Sequence, residues 1–384
     1  MASSPSYEIG CVPRAFVGPS ALDGLGDIVD GLGDGELVVI ADQGVDATGY
    51  IARVIAALRP RPVTLHIVPW GEPTVQSVDA AAAVVRAAKE AIVIGVGGGS
   101  ALDIAKQAAV VSTGDTGIEP YLLCATALPG RRPIVAIPTT SGTGAEATRT
   151  CIVADAAGRK MWTWGDEMLP DVVVLDPTAA ATMPHAVTVG TGLDAFVHAI
   201  EACSGRRRNS IASGSAQRAL ALVLAHLPRV AVDGSDLDSR QAMQEAAFLA
   251  GVAIDNCGTG VAHSIGHSLG SCYHIAHGVS VAVGLCAALE WNVAGQPHAY
   301  ADAASAMGCA VDDIAEVFAS LCEESRLGQA MGAADPHLSV DDIASTMNTI
   351  ENQPMLNNNS RAVSDDDRRM LAARTVEVWH GLRS

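Results

Sequence analysis

Histidines are concentrated in one short stretch of this chain. The segment GVAHSIGHSLGSCYHIAHG, residues 260–278, contains four of the eleven histidines, and they are His263, His267, His274 and His277. Two interpretations are open from the residues alone: a buried helix with satisfied imidazoles, or part of a metal site. The choice depends on partners elsewhere in the sequence.

A second segment, TGLDAFVHAIEAC, supplies such partners. Asp194 and His198 are four residues apart, so a helix would place both side chains on one face. Together with His263 and His277 they would form a set of one carboxylate and three imidazoles, which suits Fe(II) or Zn(II). A simple i,i+4 hydrogen bond within a helix is the alternative for the Asp194 and His198 pair. Glu201, one turn further on, is either a group that orients a ligand or a surface charge.

His263 and His277 are fourteen positions apart, which is too far for one helical turn. We therefore expect these two histidines on separate elements, with a bend at Gly266–Gly270.

A glycine-rich turn offers a different chemistry. In AIVIGVGGGSALDIAK, an apolar strand leads through glycines into a helix, whose free N–H groups and dipole would attract a pyrophosphate. An ordinary tight turn is the alternative, because the spacing is not G-x-G-x-x-G. Asp42 ends the strand in LVVIADQG and would accept hydrogen bonds from a ribose while repelling a 2′-phosphate, which favours NAD over NADP. The segment IPTTSGTGAEAT has the hydroxyls and glycines of a second nucleotide-binding loop.

These residues must be positioned by two regions with different periodicity. The first region alternates apolar strands with Ala-rich helices, which predicts an α/β domain with a Rossmann-like parallel sheet; its strands are expected at 37–42, 63–68, 91–99, 132–140 and 171–177. After about Pro184 only helical spacing remains. We therefore predict a nucleotide-binding domain over residues 1–183 and an all-helical, metal-binding catalytic domain over 184–384, with a cleft between them.

The composition excludes several classes of protein. A net charge of −18 argues against nucleic acid or an anionic membrane as a partner, since both require a basic surface. No apolar run is expected to approach the ~18 residues that span a bilayer. The nine cysteines are scattered, odd in number and without a C-x-x-C pair, and the N-terminus lacks a signal-peptide pattern. The sequence therefore predicts a cytoplasmic protein with free thiols.

Five motifs, taken in order, resemble the iron-containing (group III) alcohol dehydrogenase family: GGGSALDIAK, PTTSGTGAEAT, DPTAAATMP, GTGLDAFVHAIEAC and HSIGHSLGSCYHIAHG. The resemblance runs from about residue 8 to the C-terminus. It implies an N-terminal nucleotide-binding domain, a helical C-terminal domain, and hydride transfer between NAD(P) and a small primary alcohol or aldehyde. It also implies a bound Fe²⁺, with Zn²⁺ as the alternative, acting as a Lewis acid.

The resemblance assigns roles residue by residue. The metal ligands it implies are Asp194, His198, His263 and His277, with His267 as a catalytic histidine that relays a proton. The cofactor-binding residues it implies are Asp42, Gly97, Gly98, Gly99, Ser100, Thr139, Thr140, Thr143 and Lys160. Two departures fall on the substrate side: family members usually have Pro where this chain has Ala276, and many have an aromatic residue where it has Ile254. His274 is open to three interpretations, as an alternative ligand, a substrate contact or a surface residue, and the last two are favoured.

Three other functions compete with this hypothesis. A dehydroquinate-synthase-like lyase would need several basic residues, of which the helical half has few beside its histidines. A maleylacetate-reductase-like enzyme works without the metal, and a non-enzymatic NAD sensor would not need four ligand types. We also expect a homodimer or higher homo-oligomer, with the edge strand near YEIGCVPRAFVG as a candidate for pairing between subunits.

Overall fold

The β-branched runs of the first half form one parallel sheet of six strands. The computed structural model describes residues 6–333 and 335–383. The sheet contains β1 (Arg14–Val17), β2 (Leu37–Asp42), β3 (Val63–Val68), β4 (Ile92–Gly97), β5 (Ile134–Pro138) and β8 (Val172–Leu175). All five strands predicted from the sequence are confirmed.

The strand order is β1-β8-β5-β4-β2-β3, with every pairing parallel. From β2 the chain first goes outward to β3 and then returns to the opposite side of β2 as β4. The direction of winding therefore reverses between β2 and β4, and ligands of open α/β sheets bind at the carboxyl ends of the strands at such a point. The segment YEIGCVPRAFVG contains β1, which lies at one edge of the sheet as expected.

Helices cover the sheet and form the rest of the chain. In the first half they are α1 (Leu25–Asp30), α2 (Gln43–Asp46), α3 (Tyr50–Ala57), α4 (Val75–Ala87), α5 (Gly99–Val111) and α6 (Pro177–Ala180). The later helices are α7 (His185–Ser204), α8 (Ser210–Val232), α9 (Leu237–Cys257), α10 (Val261–Tyr273), α11 (His277–Gly295), α12 (Ala301–Met307), α13 (Ile314–Glu324), α14 (Leu327–Ala330), α15 (Val340–Met347), α16 (Gln353–Asn358) and α17 (Asp365–Gly381). Short 3₁₀ helices lie at Ala21–Gly24, Glu119–Cys124, Ala145–Ala147, Asp166–Met168, Pro297–Tyr300, Val311–Asp313 and Ile350–Asn352.

Both faces of the sheet are buried. In β2, Val38 and Ile40 belong to the apolar cluster on one face, while Val39 and Ala41 belong to the cluster on the other. This double burial explains why the strands appear as continuous apolar runs and not as alternating ones.

One hairpin was not predicted from the sequence. β6 (Thr150–Ala154) and β7 (Lys160–Trp164) pair antiparallel outside the main sheet. The signal was present, because TCIVA and KMWTW are rich in β-branched and aromatic residues and flank a short turn. This hairpin places Lys160 at the start of β7.

After α7 begins, the described residues contain helices and no strands, as the sequence predicted. The division into domains at residues 183 and 184 stays a prediction. Helix α9 connects the two regions through the Gln244 side chain, whose amide donates to the carbonyls of Pro138 (3.3 Å) and Asp176 (3.1 Å).

One of the described helices, α11, is long and apolar enough to cross a membrane by length and composition, with a mean hydropathy of 1.3. This corrects the expectation that no segment approaches that length. However, 72% of its apolar window is buried inside the protein, and a buried core helix passes the same test. The helix is weak evidence for a membrane span.

Two glycines allow α7 and α11 to approach closely. A methyl group on Gly278 would lie 2.1 Å from the carbonyl oxygen of Gly190, which no side chain can tolerate. Gly190 lies one turn before Asp194 on α7, and Gly278 follows His277 at the start of α11. The close approach therefore brings the Asp194 and His277 backbones together.

This contact generates a prediction. Gly278→Ala should push the two helices apart, lower the free energy of unfolding by about 1–3 kcal/mol through overpacking, and reduce bound metal. Chemical denaturation and elemental analysis would measure both effects. The matched control is Gly214→Ala on α8, where no atom lies within 4 Å of the added methyl group, so the helix should be stabilised by up to about 1 kcal/mol. A Gly278→Ala protein with unchanged stability and metal content would contradict the role of this contact.

Candidate active site

Four side chains from three helices converge on one point. The Nε2 atoms of His198, His263 and His277 lie 3.6, 3.7 and 3.7 Å from a single oxygen of Asp194, its Oδ1. Donor atoms at the corners of a tetrahedron around a metal are separated by about 3.4 Å. The donor atoms of Asp194, His263 and His277 all lie within 4.8 Å of one another. The spacing therefore fits a single metal ion.

The hydrogen bonding of these groups fits a cation bound between them. Asp194 and His263 are buried, and neither Asp194 Oδ1 nor His263 Nε2 has a hydrogen-bond partner among the described residues. Buried polar atoms without a partner are rare in folded proteins. A carboxylate with three imidazoles is a donor set for Fe²⁺ or Zn²⁺. The residues present therefore fit the metal implied by the resemblance.

Helix α7 explains the pairing of Asp194 and His198, as predicted from their spacing. His263 lies in the first turn of α10, and His277 begins α11, so these two histidines are on separate elements as expected. The predicted bend at Gly266–Gly270 is wrong, because α10 runs through both glycines. The chain breaks instead at His274–Ala276, where His274 has a positive φ of 55°.

Glu201 holds one of these histidines. Its Oε2 lies 2.6 Å from His263 Nδ1 and accepts a hydrogen bond from the N–H of Gly260 at 2.7 Å, while its Oε1 accepts from Ala262 at 2.8 Å. This arrangement fixes the ring with Nε2 facing Asp194. Glu201 is therefore a buried group that orients a candidate ligand, not a surface charge.

The charges in the cluster support one another. Burial opposes ionisation of Asp194, but His198, His277 and His263 hold the pKa of this carboxyl below its usual range. Burial also disfavours a charged His263, yet the Glu201 and Asp194 carboxylates raise the pKa of that imidazole to about 9. The site therefore stabilises a positive charge beside His263.

The other imidazoles have the opposite tendency. Burial lowers the pKa of His198, and burial together with the Lys160 and His263 charges lowers the pKa of His277 to about 4. Burial, His277 and Lys160 hold the pKa of His267 well below its ordinary value. These shifts favour the uncharged ring, which is the form that binds a metal or accepts a proton.

The predicted cofactor residues meet at the switch between β2 and β4. Methyl groups added to Gly97, Gly98 and Gly99 would lie 2.6 Å from Asp42 Oδ2, 3.1 Å from the Thr140 side chain and 2.8 Å from the Thr143 side chain. Such tight spacing explains why glycines occupy this turn. Gly98 precedes α5 without a side-chain cap, so the first N–H groups of that helix are open to an anion.

Of the remaining predicted cofactor residues, Thr139 and Ser100 lie at this turn, whereas Lys160 lies on the β6–β7 hairpin. The Thr139 N–H donates to the Gly97 carbonyl at 2.9 Å, so this buried threonine fixes the loop through its backbone. Ser100 is half-buried and follows Gly99 in the first turn of α5. Lys160 is buried on β7, and its Nζ lies 2.8 Å from Glu72 Oε1.

One cavity of about 610 Å³ connects the two groups of residues. Its wall includes the nucleotide-side residues Gly99, Ser100, Thr143 and Lys160, together with Asp194, His198, His263, His267 and His277. Asp42, Gly97, Gly98, Thr139 and Thr140 lie behind this wall at the strand ends. His274 is exposed and lies in a separate cavity, so the structure does not bring it to the metal ligands.

Glu72 and Trp162 also line the cavity but were not found from the sequence. Lys160 lowers the pKa of Glu72 although burial opposes ionisation, so the pair carries both charges next to His277. A carboxylate soon after a strand was the available signal for Glu72. The role of Glu72 depends on its ion pair with Lys160 of the β6–β7 hairpin, which was not predicted from the sequence.

Comparison with known proteins agrees with this geometry. A family model described as "Iron-containing alcohol dehydrogenase" matches residues 13–177, and a second, "Fe-containing alcohol dehydrogenase family, C-terminal", matches residues 188–373. The chain belongs to the iron-containing alcohol dehydrogenase family.

Relatives of this dehydrogenase include both sequences and structures. It is 37% identical over 278 residues to long-chain-alcohol dehydrogenase 1 of Geobacillus thermodenitrificans, an alignment that covers 71% of this chain and 70% of that protein. It is 29% identical to the NAD-dependent methanol dehydrogenase of Bacillus methanolicus, covering 77% and 78% of the two chains. The crystal structure of sulfoacetaldehyde reductase from Bifidobacterium kashiwanohense with NAD⁺ has a TM-score of 0.87 and 25% identity, covering 99% of this chain and 100% of that one.

The predicted fold class and activity are confirmed by these matches: the protein is an NAD-dependent alcohol dehydrogenase of the iron-containing type. The lyase and the metal-free reductase are not favoured, because the relatives are alcohol dehydrogenases and the donor atoms of Asp194, His263 and His277 lie close enough together to hold a metal ion.

The geometry predicts which histidines of this dehydrogenase are ligands and which are neighbours. His263→Ala or His277→Ala should give protein with little bound metal and almost no turnover that still binds NAD. His267→Ala should retain metal but react slowly, and His274→Ala should keep its metal because this side chain lies outside the cavity. Elemental analysis of the four variants would test this. Full metal occupancy in His277→Ala, or loss of metal in His274→Ala alone, would show that the ligands are assigned wrongly.

A second prediction concerns the cofactor. Because the Asp42 carboxylate faces the glycine turn, we expect NAD(H) to be used more efficiently than NADP(H). Asp42→Gly should narrow this preference by up to about 2 kcal/mol. Asp42 also accepts the N–H of Val45 at 2.9 Å to cap α2, so Asp42→Asn is the matched variant that can keep the cap and remove the charge. Steady-state kinetics with both cofactors would measure the ratio, and equal use by the unaltered protein would contradict the assignment.

Proposed function

We propose that this dehydrogenase transfers hydride between NAD(H) and a small primary alcohol or aldehyde, at a metal held by Asp194, His198, His263 and His277. The observation that carries the proposal is the single buried Asp194 oxygen with three imidazole nitrogens 3.6–3.7 Å away. This cluster shares one cavity with Gly99 and Ser100 of the glycine turn.

Bound Fe²⁺, or Zn²⁺ as the alternative, would supply Lewis acidity for an alcohol or aldehyde oxygen, and bound NAD⁺ would supply the hydride acceptor. The chain's own residues orient both. The open N-terminus of α5, with Ser100 and the Thr140 and Thr143 side chains, would bind the pyrophosphate. This would direct the other end of the cofactor along the cavity toward the histidines.

Proton transfer is the proposed role of His267. Its ring centroid lies 5.7 Å from that of His277, and the ring is neutral at pH 7 because burial and nearby positive charges lower its pKa. A neutral ring nitrogen in the cavity could accept the alcohol proton and pass it to solvent. Lys160 forms an ion pair with Glu72, which fixes its ammonium group in the cavity wall.

We also propose that the protein is a cytoplasmic homodimer or higher homo-oligomer without nucleic-acid or membrane partners. The net charge of −18 and the free cysteines of the described residues support this. The edge position of β1 offers a strand for pairing between subunits, and sedimentation velocity would test the oligomeric state.

Turnover of a panel of short alcohols with NAD⁺, and of the matching aldehydes with NADH, tests the proposed function. We expect activity in proportion to measured metal content, loss of activity after chelation, and recovery with Fe²⁺ or Zn²⁺. His267→Ala should keep metal and NAD binding while its kcat falls by about 10²–10⁴-fold, the usual contribution of general acid–base catalysis. Undiminished turnover by metal-free protein would contradict the proposal.

A further inference from the structure

An arginine forms part of the cavity wall on the side formed by the helices. Arg207 lies in the loop between α7 and α8, and it lines the same cavity as His263 and His277. Its guanidinium Nη1 lies 3.8 Å from the position of a methyl group on Gly258, another residue of that wall. The sequence analysis gave no role to this residue.

The backbone at Arg207 is held firmly by α16. The N–H groups of Arg206 and Arg207 donate to the carbonyl and side-chain oxygens of Asn358, at 2.7 and 3.0 Å. The Asn358 side chain in turn donates to the carbonyls of Cys257 (2.8 Å) and Thr259 (2.9 Å). One asparagine therefore fixes the arginine loop to the turn that leads into α10. The backbone of Arg207 is set before any ligand binds, which reduces the entropy cost of placing its exposed side chain against a ligand.

The charge of Arg207 has no partner among the described residues. No carboxylate of the described chain lies within 4.0 Å of its guanidinium, although Glu351 lines the same cavity. Two other charged groups of the wall differ in this respect. Lys160 is paired with Glu72, and Asp255 is paired with Arg149 at 2.8 Å. Arg207 is thus the cation of the described wall that remains available to a ligand.

The location suits the end of a substrate remote from the reacting carbon. Arg207 lines the same cavity as the proposed ligands His263 and His277 but is not one of the side chains that surround Asp194 Oδ1. A guanidinium also presents two parallel N–H donors that match a carboxylate. In a chain with a net charge of −18, an anionic substrate would need such a local cation.

We propose that the physiological substrate is an alcohol or aldehyde with a carboxylate at its far end, and that Arg207 binds this carboxylate. The inference rests on the proposed function for the hydride-transfer site. It adds a specificity-determining contact that acts on one end of the substrate, while the metal ligands act on the other.

Kinetics with matched substrates test the proposal. The kcat/KM values for 3-hydroxypropanoate, 4-hydroxybutanoate and 5-hydroxypentanoate are each compared with the value for the neutral diol that has the same number of carbon atoms. At one length or more the unaltered protein should favour the hydroxy acid. Arg207→Gln should lower that preference at least tenfold while kcat/KM for the diol changes less than twofold, and Arg207→Lys should be intermediate.

Arg206→Gln is the matched control. Arg206 is exposed like Arg207, and its substitution changes the net charge by the same amount, but Arg206 does not line the cavity. It should leave the preference unchanged. A preference for the diol at every length, or equal losses on both substrates in Arg207→Gln, would overturn the proposal.

A binding measurement separates this inference from the proposed function. Calorimetric titration of the NADH-loaded protein with butyrate needs no turnover, and Arg207→Gln should weaken binding at least tenfold relative to the unaltered protein and to Arg206→Gln. Equal butyrate affinity in all three proteins would overturn the inference even if alcohols are oxidised. If the protein oxidises no alcohol but still binds butyrate in a way that depends on Arg207, the proposed function would be overturned and the carboxylate site would be supported.

Discussion

The buried negative charge of Asp194 is the constraint on which the active site depends. An isolated carboxylate in a protein interior costs several kcal/mol, so it persists only with compensating positive charge or hydrogen bonds. One of its oxygens has no hydrogen-bond partner among the described residues and faces three imidazoles instead. The arrangement is stable only if protons or a cation occupy the space between these groups, and its donor atoms suit a divalent metal.

The fold meets this constraint by close packing of three helices. Helix α7 supplies the Asp194 carboxylate and the adjacent His198 imidazole. It also supplies the buried Glu201, which orients His263, so all three groups come from one rigid element. The contact between Gly190 and Gly278 brings α11 to α7 at the level of His277. On the other side of the cavity, the sheet presents its switch point and the open end of α5. The metal ligands and the nucleotide turn are thus fixed by separate regions that share one cavity.

Local patterns predicted much of this from the sequence. The five apolar strands were recognisable because strands buried on both faces are continuous runs of Val, Ile and Ala, and the pairing of Asp194 with His198 followed from helical spacing. The glycine turn was recognisable because a strand, glycines and a helix follow one another directly. The resemblance to a known family then linked His263 and His277 to that pair.

Features that depend on tertiary packing could not be predicted in this way. Glycine suggested a bend at Gly266, but there a methyl group would lie 2.5 Å from Val281, so this glycine serves helix packing and α10 continues. Glu72 and Arg207 gain meaning only because the β6–β7 hairpin and Asn358 place them at the cavity. Single charged residues in loops carry no periodic signal, so their roles become visible only in three dimensions.

The most direct test of this account is a crystal structure of the protein loaded with Fe²⁺ or Zn²⁺, with the metal located by anomalous scattering at its absorption edge. The account predicts one ion about 2.0–2.2 Å from Asp194 Oδ1 and from Nε2 of His198, His263 and His277. Glu201 should stay hydrogen-bonded to His263 Nδ1 and should not bind the ion. An ion bound through His267, His274 or Glu201, or no ion among these four side chains at full loading, would contradict it.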